Sequence, residues 1–181
     1  DKTITTGEGG MLLTNHPDLI GECNIYKHDG RKERGVDIIQ RKGFNYRLTE
    51  LQASVGVAQF KKRMSFIDKK KSNYNAFHEA FKDNNKITLF EFCPEGDIVP
   101  HRNIIFVPDA NELINHLVGK GIGARTLFMP MHSQPCYNIN GFFPNTDELY
   151  TTGVCLPSAP SLKKEDLSYI ISTIKSFYSN F

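Results

Sequence analysis

The 181-residue sequence predicts an α/β chain, and three observations carry that expectation. Apolar residues recur at helical spacing from Leu51, Val55 and Ala58 through Phe60, Met64 and Ile67 to Tyr74, Phe77 and Phe81. That stripe runs for about nine turns, longer than an average globular helix, and predicts a helix bridging two lobes. From about residue 86 the pattern reads strand, helix, strand, strand and helix, which makes a compact α+β lobe. Ahead of the long helix, the apolar run Met11-Leu12-Leu13 reads as a short buried strand leading into a shorter helix.

Residues 9–14 form that first strand in this reading, and Asn15 with Pro17 starts the helix after it. The helix carries Leu19, Ile20 and Cys23 and fades at His28-Asp29-Gly30. Residues 29–43 are polar, punctuated by Gly30, Gly35 and Gly43, and read as a loop. Thr49 and Gln52 form a capping box that opens the long helix. After Asn84-Asn85, residues 87–92 and 103–107 read as strands. Asp109 and Glu112 form a second capping box, for a helix carrying Leu113, Ile114, Leu117 and Val118. Gly119, Gly121 and Gly123 follow a helix rather than a strand, so they read as its end and not as a phosphate loop. Residues 125–128 form a third strand, followed by a loop punctuated by Pro130, Pro135 and Pro144. Residues 154–156 are a short apolar strand. Ser161 then caps a final helix with Leu167, Ile170, Ile171, Ile174, Phe177 and Tyr178 on one face.

A hydrophobic share of 39% and a charged share of 23% are those of an ordinary globular protein. A net charge of +2 predicts neither nucleic acid nor membrane as a partner. The basic runs Lys61-Lys62-Arg63 and Lys69-Lys70-Lys71 read as a solvated helix face. Cys23, Cys93, Cys136 and Cys155 are far apart, so neither a metal site nor a disulfide framework is expected, and reduced thiols in a cytoplasm are the default. The sequence shows no signal peptide and no apolar run near membrane-spanning length.

The segment Lys2-Thr3-Ile4-Thr5-Thr6-Gly7-Glu8-Gly9-Gly10 carries chemistry only in company, because a lone lysine near a terminus is ordinarily a solvated charge. Four further segments supply that company. They are His28-Asp29-Gly30-Arg31, residues 43–53 (Gly-Phe-Asn-Tyr-Arg-Leu-Thr-Glu-Leu-Gln-Ala), residues 121–137 with Pro130-Met131-His132-Ser133-Gln134-Pro135, and residues 156–162 (Leu-Pro-Ser-Ala-Pro-Ser-Leu). Taken in order, these segments resemble the DegT family of sugar-nucleotide aminotransferases, closest to its perosamine-synthetase-like 4-aminotransferases. The resemblance covers essentially the whole chain.

The resemblance implies part of an aspartate-aminotransferase-like (fold type I) subunit that uses pyridoxal 5'-phosphate (PLP) and works as a homodimer with shared active sites. It implies transfer of an amino group, from an amino-acid donor such as glutamate, to a keto carbon of a nucleotide-linked 6-deoxy sugar, with C4 expected. Lys2 is then the Schiff-base lysine and the proton shuttle. Asn45 is the residue that reaches the neighbouring subunit's cofactor phosphate, although an asparagine before a helix is also an ordinary turn residue. Arg47 pairs with a phosphate or diphosphate, or makes a salt bridge at the helix start. His132 borders the sugar-nucleotide site, or is a structural histidine. Glu8 and the pair Thr5-Thr6 are given position rather than chemistry.

The family carries its pyridine-nitrogen acid, its phosphate cradle and its ring-stacking residue ahead of the lysine. The sequence therefore reads as a C-terminal half, inactive alone. Residues 1–48 would be the remnant of the PLP-binding domain, 49–85 the bridging helix and 86–181 the small domain. The competing reading is a cofactor-free fragment acting as a binding or dimerisation module. Dehydratase relatives replace the lysine with histidine, so Lys2 argues for transamination.

Overall fold

The computed structural model describes residues 2–137, 139 and 141–179. The chain divides into two compact units. Residues 4–63 form one, and residues 64–181 with the first three form the other.

In the first unit, α1 spans Pro17–Lys27 with proline in its first turn. The helix α2, Glu50–Phe81, begins here and continues into the second unit. The capping box that opens α2 forms as the sequence predicts. The amide of Gln52 donates to Thr49 Oγ1 at 3.2 Å, and the amide of Thr49 donates to Gln52 Oε1 at 3.0 Å. Residues 9–14 do not form the expected strand. A strand needs a neighbour for its ladder, and this segment has none among the described residues, so Met11 and Leu13 stand 86% and 85% exposed.

The second unit is built on an antiparallel sheet in the order β1-β2-β4-β3. Its strands are β1 (Thr88–Leu89), β2 (Asn103–Phe106), β3 (Arg125–Thr126) and β4 (Gly153–Leu156). Three α-helices accompany them: α3 (Ala110–Gly119), α4 (Pro144–Thr152) and α5 (Lys164–Ser179). The core packs the second half of α2, through Phe77 and Phe81, with Ile105 and Val154 of the sheet, Leu113 and Leu117 of α3, and Leu167, Ile170, Ile174 and Phe177 of α5. The α5 residues recur at helical spacing and bury one stripe.

Helix α3 ends as its glycines predict. Gly121 sits at φ +75°, its amide donates to the Val118 carbonyl, and the Ile122 amide reaches back to Leu117, a Schellman closure.

Four further expectations are corrected. Helix α4 occupies part of the stretch read as a proline-punctuated loop, because Pro144 sits in its first turn, where a missing N–H costs nothing. Ser161 does not cap α5. The amide of Lys163 instead donates to Asp166 Oδ2 at 2.8 Å. Asp109 makes no side-chain cap on α3. Its Oδ1 accepts the Tyr178 hydroxyl at 2.7 Å, a charge-assisted bond that ties α5 to the start of α3. The fourth correction is Lys70, which is 3% exposed rather than part of a solvated face.

The Tyr178 phenol is pushed well above its ordinary range, first by burial and then by its bond to Asp109. Its folded pKa lies above the unfolded one, so this stabilisation is complete below about pH 10 and fades as pH rises further. Tyr178→Phe is expected to cost about 1.5–3 kcal/mol at neutral pH in urea unfolding and to remove that alkaline dependence. An unchanged midpoint would show the bond to be idle.

Candidate active site

Two of the sequence segments meet in the first unit. The Asp29 amide donates to the Phe44 carbonyl at 3.1 Å, Phe44 to Tyr26 at 2.7 Å and Tyr46 to Lys27 at 3.1 Å, and His28 bridges Asn45. Two glycines permit this approach. A Cβ on Gly30, which has φ +78°, would stand 1.8 Å from the Arg41 carbonyl oxygen, and one on Gly43 would stand 2.1 Å from the Gly30 nitrogen. The segments at 28–31 and 43–47 are therefore one structural feature, and glycine is required at both crossing points.

Asn45 and Arg47 are brought together on it. Arg47 Nε donates to Asn45 Oδ1 at 3.3 Å, and Arg47 Nη2 lies 3.8 Å from Asp29 Oδ2. With its oxygen engaged, the Asn45 carboxamide offers its NH₂ as the donor side, the polarity a phosphate oxygen needs. Beside it opens a cavity of about 450 Å³ lined by Arg31, Arg34, Arg47, Asp29 and Asp37 among others. Arg31 bridges Asp37 at 2.7 Å. The salt bridge read as one option for Arg47 is present.

Lys2 belongs to the second unit, where it is exposed. The His101 imidazole is held below its ordinary pKa by burial, then by the positive charges of Arg102, Lys2 and Lys70. Lys2 therefore stands within electrostatic range of His101. The threonines behave as positioning groups: Thr6 Oγ1 donates to the Glu8 carbonyl at 2.7 Å, and Thr5 Oγ1 accepts from the Gly7 amide.

Beneath His101 lies a polar clamp that sequence reading missed. Lys70 Nζ donates to the carbonyls of Pro100 and Ser158 at 3.5 and 3.4 Å. Asn73 donates to Ala159 and Asn103 to Pro157, at 3.2 and 2.9 Å, and Ser158 Oγ donates to the His101 carbonyl. Together these side chains hold residues 157–159, part of the segment at 156–162, against the His101 loop. Burial lowers the Lys70 pKa. A lysine inside a basic run carries no sequence sign of burial, which is why it was missed.

His132 sits in a short 3₁₀ turn, with Nε2 3.0 Å from Asp147 Oδ1 and its ring stacked on Phe143 at 4.6 Å. That pairing commits Nε2 to the fold, so any ligand contact falls to Nδ1.

The donors present fit an aldehyde-bearing phosphate ester such as PLP. Lys2 offers an exposed primary amine, and Asn45 and Arg47 offer an amide and a guanidinium of the right polarity.

Solved structures fix the class of fold. A Helicobacter pylori aminotransferase of pseudaminic acid biosynthesis, PseC, matches with a TM-score of 0.86 at 23% identity, over 99% of this chain and 51% of that one. A Streptococcus pneumoniae chain assigned as a sugar aminotransferase and solved in its PLP form matches at 0.85 and 20%, over 99% and 50%. The fold is thus that of part of an aspartate-aminotransferase-like, fold type I subunit. The model of the DegT/DnrJ/EryC1/StrS aminotransferase family matches residues 1–175, and the chain belongs to that family. GDP-perosamine synthase of Escherichia coli O157:H7 is 34% identical over 99% of this chain and 50% of its own length. The chain spans about half the length of the curated relatives it matches. Among the described residues no helix is long and apolar enough to cross a membrane.

Proposed function

We propose that this chain supplies Lys2, Asn45 and Arg47 to a PLP-dependent aminotransferase that aminates a keto carbon, at C4, of a nucleotide-linked 6-deoxy sugar, with glutamate as donor. The observation that carries the reading is the glycine-crossed pair of segments presenting Asn45 and Arg47 on one edge, in a chain that also keeps the lysine. In this arrangement residues 1–48 serve the cofactor-binding domain, 49–85 bridge, and 86–181 form the small domain.

When bound, PLP supplies an electron sink next to the carbon that exchanges its amino group. Lys2 Nζ would hold the cofactor and would carry the proton that the amino-group exchange requires to be moved. The Asn45 amide would donate to the phosphate of the cofactor in the partner subunit. Arg47, oriented by Asp29, adds a charged donor beside it. His132 Nδ1 borders the sugar side.

Subunit exchange tests the shared site. Losing a bond to a charged phosphate is expected to cost Asn45→Ala one to two decades of cofactor affinity, about 1.5–3 kcal/mol. Mixing Lys2→Ala and Asn45→Ala variants of the complete subunit then creates hybrid dimers in which one site has both groups intact. Activity above that of either variant is the expected result. If exchange is demonstrated and activity stays flat, Asn45 serves its own subunit.

A further inference from the structure

Three consecutive carbonyls follow the end of β4 at Leu156, and each is taken by a different buried side chain. Asn103 donates to Pro157, Lys70 to Ser158 and Asn73 to Ala159, at 2.9, 3.4 and 3.2 Å. Lys70 and Asn73 stand one turn apart on α2, and Asn103 opens β2. Lys70 also reaches a second segment, the buried Pro100 carbonyl at 3.5 Å.

A lysine is an unusual occupant of such a place. It is 3% exposed, and among the described residues no carboxylate pairs with its charge. An ammonium buried without an anion is costly, and neutral carbonyls offset that cost only by surrounding it. The Oδ1 atoms of Asn73 and Asn103, buried and without a donor among the described residues, add negative dipole ends from the same helix and strand. Carbonyl dipoles are the groups that hold monovalent cations in other proteins. Lys70 Nζ stands where a small cation would, carried on a stem.

We propose that Lys70 is a positioning residue for the amino transfer, a tethered cation that locks the His101 loop, and with it the surroundings of Lys2, to residues 157–159. The inference rests on the functional reading above. In that reading Lys2 takes up and releases a proton, and His101 stands within range of its charge. The bond from Lys70 to Pro100 and the bond from Ser158 Oγ to the His101 carbonyl fix the backbone of that loop. Loss of the cation frees both segments at once, and a small misplacement beside the reacting lysine lowers turnover more than it weakens substrate capture.

Truncation of lysine to alanine removes the atoms of propylamine, so n-propylammonium is the probe and propan-1-ol its uncharged match. In the 181-residue chain, Lys70→Ala should shift the amides of residues 101–103 and 158–159. The amine should restore them saturably, and the alcohol should not. In the complete subunit, kcat should fall about tenfold to a hundredfold with the KM for the amino-acid donor within about twofold, and the amine should recover part of the loss. The unsubstituted subunit in the same amine corrects for direct reaction with the cofactor. Lys70→Met, which fills the space without the charge and is checked by circular dichroism, should be slow and gain nothing from the amine. If Lys70→Ala alone fails to fold, a folded and slow Lys70→Met still supports the inference. Normal kcat in a folded Lys70→Met, absence of saturable amine rescue in a folded Lys70→Ala, or equal rescue by propan-1-ol would overturn it. Unfolding of both variants would overturn it too, by making Lys70 a residue of the fold alone. Absence of PLP from Lys2 in the unsubstituted subunit would instead sink the functional reading, and would leave the amide rescue untouched.

Discussion

Lys2→Ala is expected to abolish both turnover and the covalent capture of PLP. In the complete subunit, borohydride reduction should fix one cofactor per chain, and peptide mapping should place it on Lys2. The variant should show no such adduct, because the exposed amine at position 2 is the only group of the proposed site in this chain able to form that bond. Its folding should be unchanged, since the side chain is exposed and outside the core. An adduct on another lysine, or normal turnover by the variant, would remove Lys2 from the mechanism.

The largest effect on stability is expected from Phe81→Ala. Phe81 is fully buried, and its ring stacks on Phe77 with centroids 6.4 Å apart and planes 9° from parallel. Truncation removes the contacts of a whole ring and leaves a void that close-packed neighbours from α3, α5 and the sheet fill only in part. The expected loss is about 3–5 kcal/mol, a large share of the total stability of a small domain. Urea unfolding followed by circular dichroism measures it. A loss under about 1 kcal/mol would mean that the core collapses freely around the gap.

What the sequence disclosed follows from how local each signal is. The start of α2 was legible because Thr49 and Gln52 satisfy each other's amides within one turn and need no distant partner. The cap expected at Asp109 failed because Tyr178, 69 residues away, takes the carboxylate. The strand expected at residues 9–14 failed for a related reason, since pairing depends on a neighbour that a local pattern does not show. Helix α4 escaped notice because it buries no residue, so it has no apolar stripe to read. At the candidate site, the motif singled out Asn45 and Arg47, and the structure brings their side chains together. Lys70, Asn73 and Asn103 were not singled out, because their role comes from carbonyls brought in from residues 100 and 157–159.

Helix α2 keeps Leu51, Phe60 and Met64 largely exposed and buries Phe77 and Phe81, and the two compact units divide inside it, between Arg63 and Met64. The border of the C-terminal lobe as an exchangeable piece therefore runs through the middle of a helix, not through a loop. A graft starting after residue 85 would carry every strand of the sheet yet arrive with two rings missing from its centre. A graft starting at Met64 would bring them along. Recombination among relatives, natural or engineered, should tolerate crossovers near residue 63 far better than crossovers at the turn that follows Phe81.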